Sequence, residues 1–392
     1  MSPLQHPFNA QHPPSAASQA RPGNRRASAE RRHGFAAFDC QVNAISTDEL
    51  FRRYERCGFL YPAKLQKLAP YLPLVKENWR RVRRAGELLQ WVATYEDDAN
   101  GQWGSITSWR STACGWVTQH LVAQGGPLAS RAVMLAGQAV RLEERRDSAH
   151  QSWFRRKNRY ANKIFGSITS ALGQRNSWVG DYSYYFLSLA LLPQPSSTLR
   201  VDAATVADLP ELRHAVTAAR SAVYCAAEAL VDDDIALEAV DQLYAHVGLR
   251  RYRHILIARS TTSSGILGVA VAYRGPLGLN FSFLENRCDL ILAPALSAAR
   301  AREVCAALTA AVGPTYEHFE PGAVPIVIDT GYAEALRALG AEYLRDYAQS
   351  IWLSAGFEAW YRHTERFYER LLNAGRHRGL GQRTAHAATL SP

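Results

Sequence analysis

The sequence predicts an α/β protein built as two halves of similar size, and three observations carry that reading. The chain has 392 residues, 47% of them hydrophobic, enough to give two domains a core each. Its apolar pattern switches repeatedly between period two and period 3.6, the mark of strands alternating with helices. The order met in the first half, β-α-α-β-β-β-α-β-α-β, returns in the second. The repeat lies in element order rather than in residues, which points to duplication without proving it.

The first half, residues 35–191, opens with a short strand near 36–42. A helix follows whose start is marked by Ser46 with Glu49 three places on, a capping residue and its partner. A helical stretch over 65–84 is interrupted near Pro70 and Pro73, which have no backbone N–H to donate. Alternating apolar residues predict strands at 88–96, 106–111 and 115–123. A helix over 128–144, a short strand at 152–154, a helix over 158–171 and a strand at 182–191 complete the half. Pro193, Pro195 and the polar residues around them mark a linker over 192–198.

The second half, 199–373, repeats the plan. A strand at 199–203 precedes helices over 208–230 and 235–247, and strands at 254–259, 266–273 and 279–283 form a meander. A strand at 288–293, a helix over 297–312, a strand at 324–329, a helix over 331–339 and a strand at 343–353 follow. A last helix over 357–373 gathers Phe357, Trp360, Tyr361, Phe367, Tyr368 and Leu371 on one broad apolar side. Residues 1–34 and 374–392 lack apolar periodicity and read as a disordered basic arm and a disordered tail.

The net charge is +10, and all of the 45 basic residues except Lys64, Lys67, Lys76, Lys157 and Lys163 are arginine. A GC-rich genome produces that bias. Five arginines (Arg21, Arg25, Arg26, Arg31 and Arg32) also sit in the arm, so the charge argues little for nucleic acid. Cys40, Cys57, Cys114, Cys225, Cys288 and Cys305 form no Cys-x-x-Cys pair, and reduced thiols in a cytoplasmic protein are expected. Apolar runs such as 266–272 fall far short of a bilayer span, and the arm lacks the apolar core of a signal peptide, so no membrane partner is expected.

The doubled element order resembles that of the GCN5-related N-acetyltransferase (GNAT) superfamily. Local residues carry the resemblance: Asn158, Ala161 and Phe165 sit as in the Asn-x-x-Ala-x-x-x-Tyr helix near the end of that fold. In the second half, the strand ending at Asp329, the run from Ala335 to Gly340 and the aromatic strand through Ser350 and Trp352 look like the same closing unit. The resemblance implies two tandem GNAT-like domains, each with a mixed, mostly antiparallel central sheet flanked by helices.

It also implies a coenzyme site. In that family the fourth strand leads into a Gln/Arg-x-x-Gly-x-Gly/Ala loop, whose backbone amides and following helix N-terminus bind the coenzyme A pyrophosphate. Here Gln124 and Ala129 match the end positions, Gly125 and Gly126 come early, and Pro127 replaces the central glycine. The resemblance therefore places acetyl-CoA or another acyl-CoA against Gln124, Gly125, Gly126, Ala129, Ser130, Arg131 and Asn158. The corresponding stretch 293–302 has no glycine, and although Arg300 and Arg302 can pair with phosphate, ordinary CoA binding is expected to be lost there.

Chemistry departs from the family pattern. Phe165 and Leu336 stand where many members place a tyrosine that protonates the leaving thiolate, and neither can donate a proton. Glu96, beside Asp97 at the end of a strand, is the candidate general base. Among Tyr95, Tyr182, Tyr184 and Tyr185, Tyr184 is the candidate replacement acid, against the alternative that strand tyrosines serve packing.

Four other constellations stand out in the sequence. Aromatic and cationic residues interleave from Trp153 to Tyr160, a pattern that suits stacking on a base while holding phosphate. Arg80 and Arg84 have the spacing found in PilZ-type cyclic-dinucleotide receptors, but Phe186 stands where the companion motif needs glycine, which rejects that fold and leaves a nucleotide effector open. Glu317, His318 and Glu320 lack a second ligand group at metal-site spacing. Asp232, Asp233 and Asp234 read as the cap of the helix at 235.

The leading expectation is a CoA-dependent N-acyltransferase acting on a small-molecule or protein amine. The alternative is a noncatalytic sensor or adaptor whose degenerate GNAT domains bind a phosphate-bearing effector such as a cyclic dinucleotide. The missing tyrosines favour the second and the 124–131 loop favours the first.

Overall fold

In the computed structural model, which describes residues 40–137, 148–194, 197–230 and 233–388, both halves show the expected order. The first contains β1 (Cys40–Val42), α1 (Thr47–Arg56), α2 (Pro62–Leu68), α3 (Leu72–Arg84), β2 (Gln90–Asp97), β3 (Gln102–Arg110) and β4 (Gly115–Gln124). It continues with α4 (Pro127–Ala132), β5 (Ala149–Phe154), α5 (Arg159–Ile164), α6 (Ile168–Leu172) and β6 (Ser177–Ser188). The second contains β7 (Leu199–Ala203), α7 (Leu209–Ala219), α8 (Ala222–Ala227), α9 (Glu238–Ala245), β8 (Tyr252–Ser260), β9 (Ile266–Arg274) and β10 (Cys288–Leu292). Then come α10 (Ala298–Tyr316), β11 (Ala323–Asp329), α11 (Ala333–Arg337), β12 (Glu342–Leu353) and α12 (Phe357–Ala388). The expected arm at 1–34 lies outside the described residues, as do residues 138–144 of the helix expected over 128–144, whose described part is α4 and a π-helical turn over Val133–Gly137.

The strands form one sheet in the order β1-β2-β3-β4-β5-β12-β6-β11-β10-β9-β8-β7. Only β4/β5 and β10/β11 run parallel; the other neighbours are antiparallel. The order reads as a palindrome about the β12/β6 pair. Each half places its last strand beside the fifth strand of the other, so β12 pairs with β5 and β6 with β11. The halves thus share a hydrogen-bond ladder as well as a core.

Local chemistry explains the element boundaries. Ser46 caps α1 by accepting from the Glu49 amide at 3.2 Å. Pro62 and Pro73 sit in the first turns of α2 and α3, where a missing N–H costs nothing, and the stretch expected over 65–84 divides there. The helix expected over 208–230 breaks after Ala219, because Ser221 turns its hydroxyl to the Tyr224 amide at 3.0 Å and starts α8 anew. Asp234 does cap a helix, but α9 begins at Glu238 rather than near 235, with Asp234 accepting from the Glu238 and Ala239 amides. Asp232 lies outside the described residues. The terminal helix runs on to Ala388, past the expected end near 373, through a stretch that contains no proline.

One predicted strand is absent. Residues 279–283 form part of an irregular loop between β9 and β10 rather than a rung of the meander. Its backbone amides find side chains instead of a neighbouring strand: Glu285 accepts from the Gly278 and Asn280 amides, and Asn280 from the Ser282 amide at 2.7 Å. Gly278 has φ +84, and a Cβ there would stand 2.4 Å from Val75 of α3, so the position requires glycine. Asn78 and Trp79 of α3 donate to the Leu277 and Gly278 carbonyls at 3.0 and 2.8 Å. A loop of the second half is thereby fastened to the first.

Beneath the loop lies a buried ionic network. Arg287 pairs with Glu228 at 2.6 Å and Asp289 at 3.0 Å, with all three side chains at 1% exposure or less. Tyr273 and Tyr224 donate to the same two carboxylates. Each charge has the partners that make its burial tolerable.

Candidate functional site

β4 and β5 pair only where Gly115, Trp116 and Val117 meet Ala149, His150 and Gln151. Beyond that point the two strands part. On its other edge β4 bulges against β3: Ser105 faces Val122 and Thr107 faces Gln119, so His120 and Leu121 together oppose Ile106. His120 takes up the extra residue with φ 54, a left-handed conformation that histidine tolerates better than most side chains. Where the strands part, a cavity of about 400 Å³ is lined by Thr118, Gln119, His120 and Leu121 from β4 and Ser152, Trp153 and Phe154 from β5. Asn158, Tyr160 and Phe165, around α5, form another side.

The wall is completed from elsewhere in the chain. Phe59, Tyr61 and Lys64 come from the α1–α2 region, Arg345 and Tyr347 from β12, and Asn280, Phe281 and Ser282 from the second-half loop. Phe281 lies flat on His120, with ring centroids 4.2 Å apart and planes at 18°, and Trp79 stacks on both. Gln119 exchanges hydrogen bonds with the same loop, donating to the Leu279 carbonyl and accepting from Asn280. The first-half site is therefore finished by the second half.

The electrostatics of the wall are unusual. Both ring nitrogens of His120 are buried without a hydrogen-bond partner among the described residues. Burial, helped by the nearby positive Lys64, holds the imidazole well below its ordinary value, so it is neutral at pH 7. Lys64 is itself pushed down to about 8, by burial first and by Arg345 second. Its Nζ sits 4.0 Å from the Phe59 ring centroid and donates to the Phe59 carbonyl at 3.1 Å. Burial raises the Tyr160 hydroxyl, which bonds to the Tyr368 hydroxyl. A neutral imidazole with free nitrogens is a proton acceptor, and the burial that keeps it neutral restricts it to donors more acidic than a free ammonium.

Asn158 is the one residue of the predicted coenzyme set that lines the cavity, and its Oδ1 caps α5 by accepting from the Tyr160 and Ala161 amides at 3.1 and 3.2 Å. Gln124, Gly125 and Gly126 lie at the end of β4 outside the lining. Gly125 packs tightly, since a Cβ would stand 2.5 Å from the Gly101 carbonyl, whereas Gly126, with φ +133, has open space where its Cβ would be. Ala129 and Ser130 are buried in α4, and Arg131 approaches Glu365 at 3.9 Å. Glu96 pairs with Arg53 at 2.5 Å, and Tyr184 is buried with its hydroxyl on the Ser282 carbonyl at 2.7 Å; neither lines the cavity. His120, Lys64, Phe281 and Arg345 do line it, and sequence reasoning passed over them; Tyr160, from the 153–160 run singled out in the sequence, lines it too. The one signal available was His120 itself, standing in the β4 strand next to Gln119.

The second half differs at the matching place. β10 and β11 also pair over three residues, but β10 runs against β9 without a bulge. The Tyr332 hydroxyl donates to the Ala293 carbonyl at 2.9 Å and ties the end of β10 to the turn after β11. A smaller, mainly apolar hollow of about 280 Å³ lies between the β10 end and α7. Among the described residues no cluster of three or more side chains is arranged to hold a metal, no two cysteines form a disulfide, and no helix is long and apolar enough to cross a membrane.

No family model and no curated protein matches the sequence. Among solved structures, the chain is similar to a Drosophila protein at 10% identity and TM-score 0.42, covering 80% of this chain and 98% of that one. A tandem GNAT protein from the clavulanic acid biosynthesis pathway aligns at 9% identity and TM-score 0.38, over 81% and 99% of the two chains. A putative acetyltransferase from Pyrococcus horikoshii aligns at 10% identity and TM-score 0.38, over 81% and 91%. The strand order of this structure is doubled about the β12/β6 pair, and each half contains one parallel pair whose strands part, β4/β5 and β10/β11.

Proposed function

We propose that the first half catalyses CoA-dependent N-acyl transfer to an amine, with the parting of β4 and β5 as its reaction chamber. The observation that supports this best is His120: a neutral, 92%-buried imidazole with two unpartnered nitrogens, held by a bulge in the wall of a cavity large enough for reacting groups. The fold class itself is an analogy and does not choose the chemistry.

The 124–131 turn fits the coenzyme diphosphate. Gly126 opens α4 with no side chain capping the helix, and open space lies in front of it. Pro127 subtracts one amide from the set, leaving those of Gly126, Leu128 and Ala129. Arg131 adds a positive charge one turn on.

A bound acyl-CoA supplies an acyl thioester, whose C–S bond is exchanged for an amide C–N bond. The protein's part is positioning and proton handling. A ring nitrogen of His120 takes the proton that the attacking amine sheds as the C–N bond forms, when that nitrogen is far more acidic than a free ammonium. Tyr160 Oη holds its proton at neutral pH in the same wall. Phe281 and Trp79 fix the imidazole plane by stacking on it and keep water from that face. Beyond Val117 β4 no longer pairs with β5, and a backbone amide released from that ladder can polarise a carbonyl.

Calorimetric titration with acetyl-CoA, on the wild type and on Gly126→Glu, tests the reading. Saturable binding that the variant loses is the expected result. Absence of acetyl-CoA binding refutes it. A parallel titration with cyclic di-GMP then decides whether the chain is a nucleotide receptor.

A further inference from the structure

Resting on that reading of the cavity, we propose that the acceptor amine carries an anionic group, carboxylate or phosphate, and that Lys64 and Arg345 hold it. Lys64, Arg155 and Arg345 all line the cavity, and no aspartate or glutamate does. Elsewhere arginines find acids readily: Arg53 with Glu96, Arg80 with Asp48, Arg156 with Asp181 and Arg259 with Glu211. The cavity cations break that habit.

Lys64 and Arg345 reach the chamber from different elements, α2 and β12, and are close enough for each to feel the charge of the other. Lys64 rests on the Phe59 and Tyr61 rings and donates to a single carbonyl, with no acid beside it among the described residues. Apart from its place in the β12/β6 ladder, Arg345 makes no ion pair or hydrogen bond with a described residue. A bulge aims it: Tyr343 pairs with Tyr185 and Arg345 with Tyr184, so Leu344 is extra. Two like charges sharing a half-buried cavity repel each other unless a counter-charge joins them. The compact ammonium and the planar guanidinium together make a site for a carboxylate or a phosphate.

The arrangement also selects against other acceptors. A polyamine, or a lysine side chain with no anion next to it, brings further positive charge to a chamber that already has three cations. An anion at Lys64 leaves His120 neutral and available, because the imidazole needs no charge to accept a proton. The acceptor class is then an amine with a carboxylate or phosphate within one small molecule.

The test uses the full chain without coenzyme and three probes that share one ring: benzoate, phenyl phosphate and benzylamine. Calorimetry is expected to show saturable binding of at least one anion and none of benzylamine, with affinity falling at least tenfold in both Lys64→Met and Arg345→Met. The anion that binds more tightly identifies carboxylate or phosphate as the recognised group. Both side chains are half-buried and unpaired with acids, so both variants are expected to melt like the wild type. Failure of both anions to bind, equal binding of benzylamine, or anion binding unchanged in both variants would overturn the proposal. Displacement of the bound anion by coenzyme A would overturn it too, by assigning the cations to the coenzyme. Acetyl-CoA binding is read separately, and its absence removes the acyl-transfer reading while leaving the anion site standing.

Discussion

Replacing His120 with phenylalanine separates a functional imidazole from a structural one. The residue is 8% exposed, and its ring stacks on Phe281 at 4.2 Å and on Trp79 at 5.5 Å with both nitrogens unpartnered. Each buried polar atom without a partner costs about 1–3 kcal/mol. Phenylalanine keeps the stack and removes both atoms. It pays a somewhat larger penalty for the left-handed backbone, about 1 kcal/mol at most beyond what histidine already pays. His120→Phe is therefore expected to be more stable than the wild type by at least about 1 kcal/mol in urea unfolding, with an unchanged denaturant slope. Acetyl-CoA binding should persist and amide formation should vanish. Local rules are broken where function requires it, and a residue that weakens the fold while lining a cavity has that character. A variant destabilised by more than 1 kcal/mol would show that the nitrogens are satisfied after all. A stabilised variant with full activity would remove His120 from proton transfer.

Three further outcomes follow from the same geometry. Burial raises the Glu285 carboxyl to about 8 from an unfolded value near 4.5, so its contribution to stability is complete below about 4.5 and is lost as pH rises through about 8. Glu285→Gln should therefore gain on the wild type over that window by a few kcal/mol, read from urea melts at pH 5, 7 and 9; parallel pH curves would contradict the assignment. Glu228→Ala leaves Arg287 buried without its closest partner and is expected to cost about 3–5 kcal/mol, and a loss below 1 kcal/mol would mean the network is solvated. Phe281→Ala removes the ring that joins the second-half loop to His120, Trp79 and Phe51, and should cost about 3–5 kcal/mol in urea unfolding. A cost under 1 kcal/mol would show that the loop is not packed on the first half.

The doubled α/β order was legible because each element carries its own period. Helix starts at Ser46 and strand runs such as 266–273 are local facts, and the two copies confirm each other. The exceptions have local reasons that the pattern hides. Residues 279–283 alternate like a strand, yet Glu285 and Asn280 supply partners for their amides from only a few residues away. The helix over 208–230 reads as continuous, yet the Ser221 hydroxyl offers Tyr224 an alternative partner and starts a new helix.

The candidate site was much less legible. The 124–131 turn is contiguous, so its glycines could be matched against a pattern from the sequence alone. His120 stood next to Gln119 without distinction, because its significance comes from a two-against-one bulge and from a ring contributed 161 residues later. Lys64 and Arg345 are ordinary basic residues until the fold brings them to one cavity without an acid.

By itself the sequence determined what short-range interactions decide: most element types, the doubled element order, the proline and serine boundaries and the glycine turn after β4. Tertiary structure alone decided that each half lends its last strand to the other, that a second-half loop finishes the first-half chamber and that Tyr332 ties the end of β10 to the turn after β11. Strand exchange and cavity lining depend on contacts between residues far apart in the chain, and no local period records which partners will meet.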